Sequence, residues 1–92
     1  MEYNGYENKE TWDVVAWIDN TPEGQDTRDR ILKTYVSFAD KARRLEEWVS
    51  MDYIEPYQPE NGLASDLLTL AFSKVNWYEI VKAHDYIYEE TN

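Results

Sequence analysis

The chain has no cysteine. That excludes a disulfide framework, a thiolate zinc site and a cysteine nucleophile. A single histidine, His84, excludes a histidine-rich metal centre and leaves a Ser-His-Asp arrangement only one candidate base. Glycine and proline number three each, too few for a β-sandwich that turns about every ten residues. No apolar run approaches the roughly 18 residues of a membrane span. The opening MEYNGYENKE has neither the basic start nor the apolar core of a signal peptide. Basic residues are scarce as well: nine Lys and Arg against nineteen Asp and Glu leave a net charge of -10. Such a surface repels nucleic acid and anionic membrane, so neither is expected as a direct partner. The expectation is a soluble, cytoplasmic protein whose 92 residues form one helical domain, 1–92.

What the chain does have is aromatic bulk. Hydrophobic residues make up 42% and aromatics 15%, including four Trp and eight Tyr. Disordered acidic tails lack this content, because they cannot bury enough surface to offset chain entropy. This chain can fold.

Apolar spacing near 3.6 residues predicts an all-α fold, a compact domain of four helices with one long central helix. Asn8 is placed as the N-cap of a first helix, Lys9 to about Asn20, with Thr11, Val14, Val15 and Ile18 on one side and Trp12 at its edge. Glu10, Asp13 and Trp17 point the other way. Thr21-Pro22-Glu23 reads as a helix start, although Gly24 shifts the expected beginning toward Asp26 or Thr27. From there Ile31, Tyr35, Phe38, Ala42, Leu45 and Val49 make a continuous stripe, widened by Leu32, Ala39 and Trp48, that predicts one helix ending near Ser50. Its Tyr, Phe and Ala are not the Ile/Leu pattern of coiled-coil dimers, so the stripe is assigned to the domain's own core. The Pro- and Tyr-rich stretch at about 51–61, with Pro56 and Pro59, is expected to be a loop. A third helix, Leu63 to Val75, is apolar over more than half its circumference and is expected at the centre of the bundle. Asn76 opens a fourth, with Glu79 in capping-box spacing and a buried stripe of Trp77, Ile80, Val81, His84, Ile87 and Tyr88.

Two segments are familiar. Asn4-Gly5-Tyr6, Asn8, Glu10-Thr11-Trp12, Val14, Trp17-Ile18 and Asn20 resemble the opening of a family of small uncharacterised proteins of phages, plasmids, cyanobacteria and haloarchaea. Val75-Asn76-Trp77-Tyr78-Glu79-Ile80 resembles the start of that family's C-terminal helix. The resemblance brings no activity with it. It implies a phage or mobile-element setting rather than a housekeeping enzyme.

Chemistry has little to stand on. His84 falls on the apolar face of its helix, and Glu79, five residues away, lies on a different face, unlike the i, i+3 pair of a di-iron bundle. A core histidine is the better reading, and no enzyme activity, metal or cofactor is expected. Binding has more. Residues 1–27 carry net -6, residues 28–44 net +4, and residues 45–73 net -6 with no base at all. The candidate partner-binding residues are therefore Glu46, Glu47, Asp52, Tyr53, Glu55 and Tyr57 in the acidic block, and Glu7, Glu10, Asp13 and Trp17 near the start. Carboxylates held several Å apart can occupy a protein's phosphate-binding groove, and tyrosines can take the place of stacked bases. The leading expectation is a nucleic-acid mimic of anti-CRISPR or anti-restriction type. It would inhibit a basic nucleic-acid-binding protein such as a CRISPR effector or a restriction enzyme. The alternative is a non-enzymatic oligomerising or scaffold module using aromatic and apolar contacts, a homodimer included.

Overall fold

The computed structural model describes residues 3–84. Among these residues are five α-helices: α1 (Lys9–Asp19), α2 (Pro22–Leu32), α3 (Phe38–Val49), α4 (Gly62–Ser73) and α5 (Trp77–Ala83). A π-helical turn, Ser50–Ile54, and a 3-10 turn, Glu55–Tyr57, extend α3. The all-α expectation holds, and there is no strand among the described residues. The count of four and the long central helix do not. No helix of the described residues is long and apolar enough to cross a membrane.

The predicted long helix is cut at residues 33–37, without glycine or proline. Thr34 and Ser37 make the cut. The Thr34 N–H and hydroxyl both donate to the Ile31 carbonyl, the hydroxyl at 2.7 Å, and the Ser37 side chain accepts from the Asp40 N–H at 3.1 Å to cap α3. The break also frees the Leu32 carbonyl, which accepts from the Lys41 ammonium at 2.7 Å. Lys41 is only 1% exposed and lies 5.5 Å from the centre of the Phe38 ring. Its stem fills the core at the α2–α3 corner while its head satisfies a helix end. Tyr35, expected in the apolar stripe, is exposed in the break.

Two further expectations are corrected. The 51–61 loop is mostly helical turns: the Glu55 N–H reaches back to the Ser50 carbonyl, and Pro56 falls at the start of the 3-10 turn, where its missing N–H costs nothing. The third predicted helix, α4, buries no residue and lies at the edge of the fold rather than at its centre. By contrast α2 begins at Pro22, capped by Thr21, despite Gly24.

The core is built from Val15 and Ile18 of α1, Leu32 of α2, Leu45 and Val49 of α3, and Val75, Trp77, Ile80 and Val81 at the C-terminal side. The α3–α5 pair forms its middle, and α1 and α2 cover one flank. Arg28, nearly buried, bridges Asp19 of α1 and Asp29 of α2. Ile87 and Tyr88, expected in the last buried stripe, lie outside the described residues.

Both familiar segments meet in one polar network. The Asn8 side-chain oxygen accepts from the Thr11 N–H at 2.8 Å and from its hydroxyl at 2.6 Å. That hydroxyl in turn accepts from the Asn76 N–H at 2.9 Å, and the Asn8 amide donates to the Lys74 carbonyl at 2.8 Å. Asn76 caps α5 through the Glu79 N–H, and its amide donates to Glu7 at 3.1 Å. The Glu79 carboxylate does not close the capping box; it accepts from the Glu7 N–H at 3.2 Å instead. Thr11 is fully buried, so the bonds of its N–H and hydroxyl satisfy groups that could not otherwise reach water. The caps of α1 and α5 are thus one construction. The lead-in before Asn8 contains an Asn4-Gly5 turn with positive φ at both residues, 55° and 92°. That is the mirror-image hairpin turn Asn-Gly favours, and it lays Tyr6 over Trp12 with ring centres 6.3 Å apart.

Candidate partner-binding groove

The outer face of α1 and the π-helical turn after α3 enclose an apolar groove of about 560 Å³. Val14 and Ile18 line it from α1, Val49 from the end of α3, and Ile54 from the turn. Three aromatics and two carboxylates complete it: Trp17, Tyr53, Tyr57, Asp13 and Asp52. Five of the ten residues singled out from the sequence come together here, drawn from both acidic segments.

Local structure explains why each faces the groove. Asp13 and Trp17 are one helical turn apart on the side of α1 turned away from the core, and Trp17 remains 65% exposed. The π turn continues the face that buries Leu45 and Val49, bringing Tyr53 and Ile54 to the same side, both half-buried. The Trp48 indole N–H donates to Asp52 at 2.9 Å, and its ring meets Tyr53 edge-on at 5.7 Å. Asp52 is therefore held in one orientation. Tyr57, in the 3-10 turn, is 75% exposed.

Burial, and secondarily the Asp52 charge, push the Tyr53 phenol above its ordinary pKa, so near neutral pH it stays a neutral hydrogen-bond donor. Asp13 accepts from Lys9 at 2.9 Å, and this hydrogen bond, followed by the attraction of the two charges, raises the Lys9 pKa. The pair is exposed and screened by water, so it leaves Asp13 available for exchange with another cation.

The remaining five candidates lie elsewhere. Glu7 and Glu46 line a second, shallower depression of about 520 Å³ with Trp77 and Tyr78, and Glu7 is already engaged in the cap network. Glu47 pairs with Arg43 at 3.3 Å. Glu55 accepts a long bond from Ser50 at 3.4 Å. Glu10 sits in the first turn of α1, where a carboxylate offsets the helix dipole. The groove-floor residues Val14 and Ile54 were not singled out as site residues. Val14 was assigned to the core face, and Ile54 lay in a stretch with no predicted helix to give it a face.

His84 is buried at the C-terminal end of α5, its Nδ1 2.8 Å from the Ile80 carbonyl oxygen. Since a carbonyl only accepts, Nδ1 carries the proton. It is not among the residues that line the groove. Among the described residues no group of three or more His, Asp and Glu is placed to hold a metal. Comparison with protein-family models, curated proteins and solved structures gives no match to this chain.

Proposed function

We propose that this chain is a small, non-enzymatic inhibitor that docks its acidic, aromatic groove onto a basic nucleic-acid-binding protein. A CRISPR effector or a restriction enzyme, the targets suited to a phage or mobile-element protein, is the class of partner. One observation carries the reading: the convergence of Trp17, Tyr53 and Tyr57 with Asp13 and Asp52 around a single groove. Exposed aromatics beside carboxylates are suited to Arg and Lys, whose cations rest on the ring faces while their N–H groups reach the acids. A protein that binds phosphates and bases offers the same chemistry: cations for the carboxylates, apolar stacking surfaces for the rings. Because the groove belongs to packed helices, docking avoids the ordering cost of a disordered acidic tail. Occupancy is the mechanism; the net charge of -10 adds fast, salt-sensitive association.

The test is capture from host lysate on the immobilised protein at low and high salt, followed by elution with competing DNA or RNA. A bound protein released by both salt and nucleic acid supports mimicry. In the Asp13→Lys/Asp52→Lys double variant, binding should fall at least about thirtyfold, the equivalent of about 2 kcal/mol for lost charge pairs. A partner that ignores competing nucleic acid and tolerates the double variant would sink the proposal.

A further inference from the structure

The helix α4 presents apolar side chains on opposite sides. At about 100° per residue, Ser65, Leu68 and Phe72 share the side turned toward the body of the protein, where they are half-buried and Phe72 meets Trp77 at 5.3 Å. Leu63, Leu67 and Leu70 share the opposite side, exposed at 69%, 56% and 54%. Ala64 and Ala71 flank that leucine stripe. Ala64, Leu67 and Ala71 are spaced by three and four residues, the seam of an antiparallel helix pair.

We propose that α4 is a self-association helix, pairing antiparallel with α4 of a second copy about a two-fold axis at Leu67. Charge points to a second copy. Two chains of net charge -10 repel each other over most of their surfaces, and α4 carries a single charge, Asp66, in twelve residues. Asp66 lies beside the leucine stripe, away from the seam's alanine edge.

The sequence of α4 also complements itself. With the axis at Leu67, Leu63 lies against the partner's Ala71 and Leu70 against the partner's Ala64, large on small at both ends. An isologous contact requires such reciprocity. Glu60 and Lys74, each exposed and each seven residues from Leu67, bracket the helix. In the antiparallel pair Glu60 meets the partner's Lys74 twice, whereas a parallel pair sets like charges together. A helix of about 18 Å buries less than a stable interface of about 1,200 Å². The association is therefore concentration-dependent. It uses no residue that lines the groove between α1 and the π turn, and stands independently of that site.

Sedimentation equilibrium over a range of concentrations reads this directly. The mass should rise from 11.0 kDa toward twice that value. Leu67→Glu should hold it at the monomer mass, with helicity and melting temperature unchanged from the wild type at concentrations where both are monomers. Lys74→Glu and Glu60→Lys should each weaken association about tenfold, or about 1.4 kcal/mol, and the two together should restore it. A monomer at every concentration overturns the proposal, as does a dimer that survives Leu67→Glu. A fall in melting temperature with Leu67→Glu at a concentration where the wild type is monomeric also overturns it, because another part of the same chain then covers the stripe. Failure of the double variant to recover overturns the antiparallel pairing.

Discussion

A missing side chain decides how closely α1 and α2 meet. At Gly24 a Cβ would overlap the carbonyl oxygen of Ile18 and sit 3.1 Å from both the Thr21 and Tyr53 hydroxyls. The Ile18 carbonyl belongs to helix backbone, so it cannot swing aside. On helix propensity alone Gly24→Ala should stabilise by up to about 1 kcal/mol. Overpacking against fixed backbone costs about 1–3 kcal/mol, and this term wins. We expect Gly24→Ala to lower stability in urea denaturation, and a gain would show that α2 can shift away. From the sequence, Gly24 looked like a reason to start the helix later, because a glycine's close approach is a three-dimensional fact. Lys41 was illegible for a related reason. In a one-dimensional pattern a lysine reads as solvated, and the turn that frees the Leu32 carbonyl, giving its buried head an acceptor, is not visible there.

At the scale of elements, the starts were legible and the interruption was not. Asn8 and Asn76 cap helices as read, and Thr21 does so despite the later start that Gly24 suggested, since a cap is a local contact between a side chain and an N–H three residues on. Ser37 with Asp40 three residues later carries the same signature, yet the apolar spacing across it favoured one helix. That spacing survives because Leu32 and Leu45 serve the same core from two helices instead of one. Thr34 and Ser37 hold the break by hydrogen bonds to adjacent backbone, so it should fail in a graded way. Replacing Ser37 with Ala should cost about 1 kcal/mol, read from thermal melts. If it instead raises helicity and stability, a continuous α2–α3 helix is accessible and the break is weakly held. α4 misled for another reason. Apolar periodicity tells how wide a helix's apolar arc is, but not whether this chain supplies both surfaces to cover it.

At the scale of the whole molecule, the conspicuous motif residues divide by what they touch. Asn8, Thr11, Asn76 and Glu79, which carried the resemblance, are used up in joining α1 to α5. Trp77 is 8% exposed in the core, and Trp12 is half-buried under Tyr6. Trp17 alone of these three tryptophans stands mostly in solvent, at the groove. Its side of α1 was legible as the polar side. Its neighbours were not, since Tyr53 and Ile54 reach it only through a π turn where a loop was expected. Stability and binding should therefore separate cleanly between two chemically identical substitutions. Trp77→Ala removes a large buried ring and should cost about 3–5 kcal/mol. Trp17→Ala deletes a ring already hydrated over most of its area, so its cost should be well under half of that. Binding should follow the reverse order, because truncating an exposed aromatic anchor at an interface costs about 2 kcal/mol or more in affinity. Urea denaturation of both variants, set beside capture of the same partner, measures the two effects independently. If Trp17→Ala unfolds the domain as badly as Trp77→Ala, Trp17 is part of the core and the groove loses its anchor.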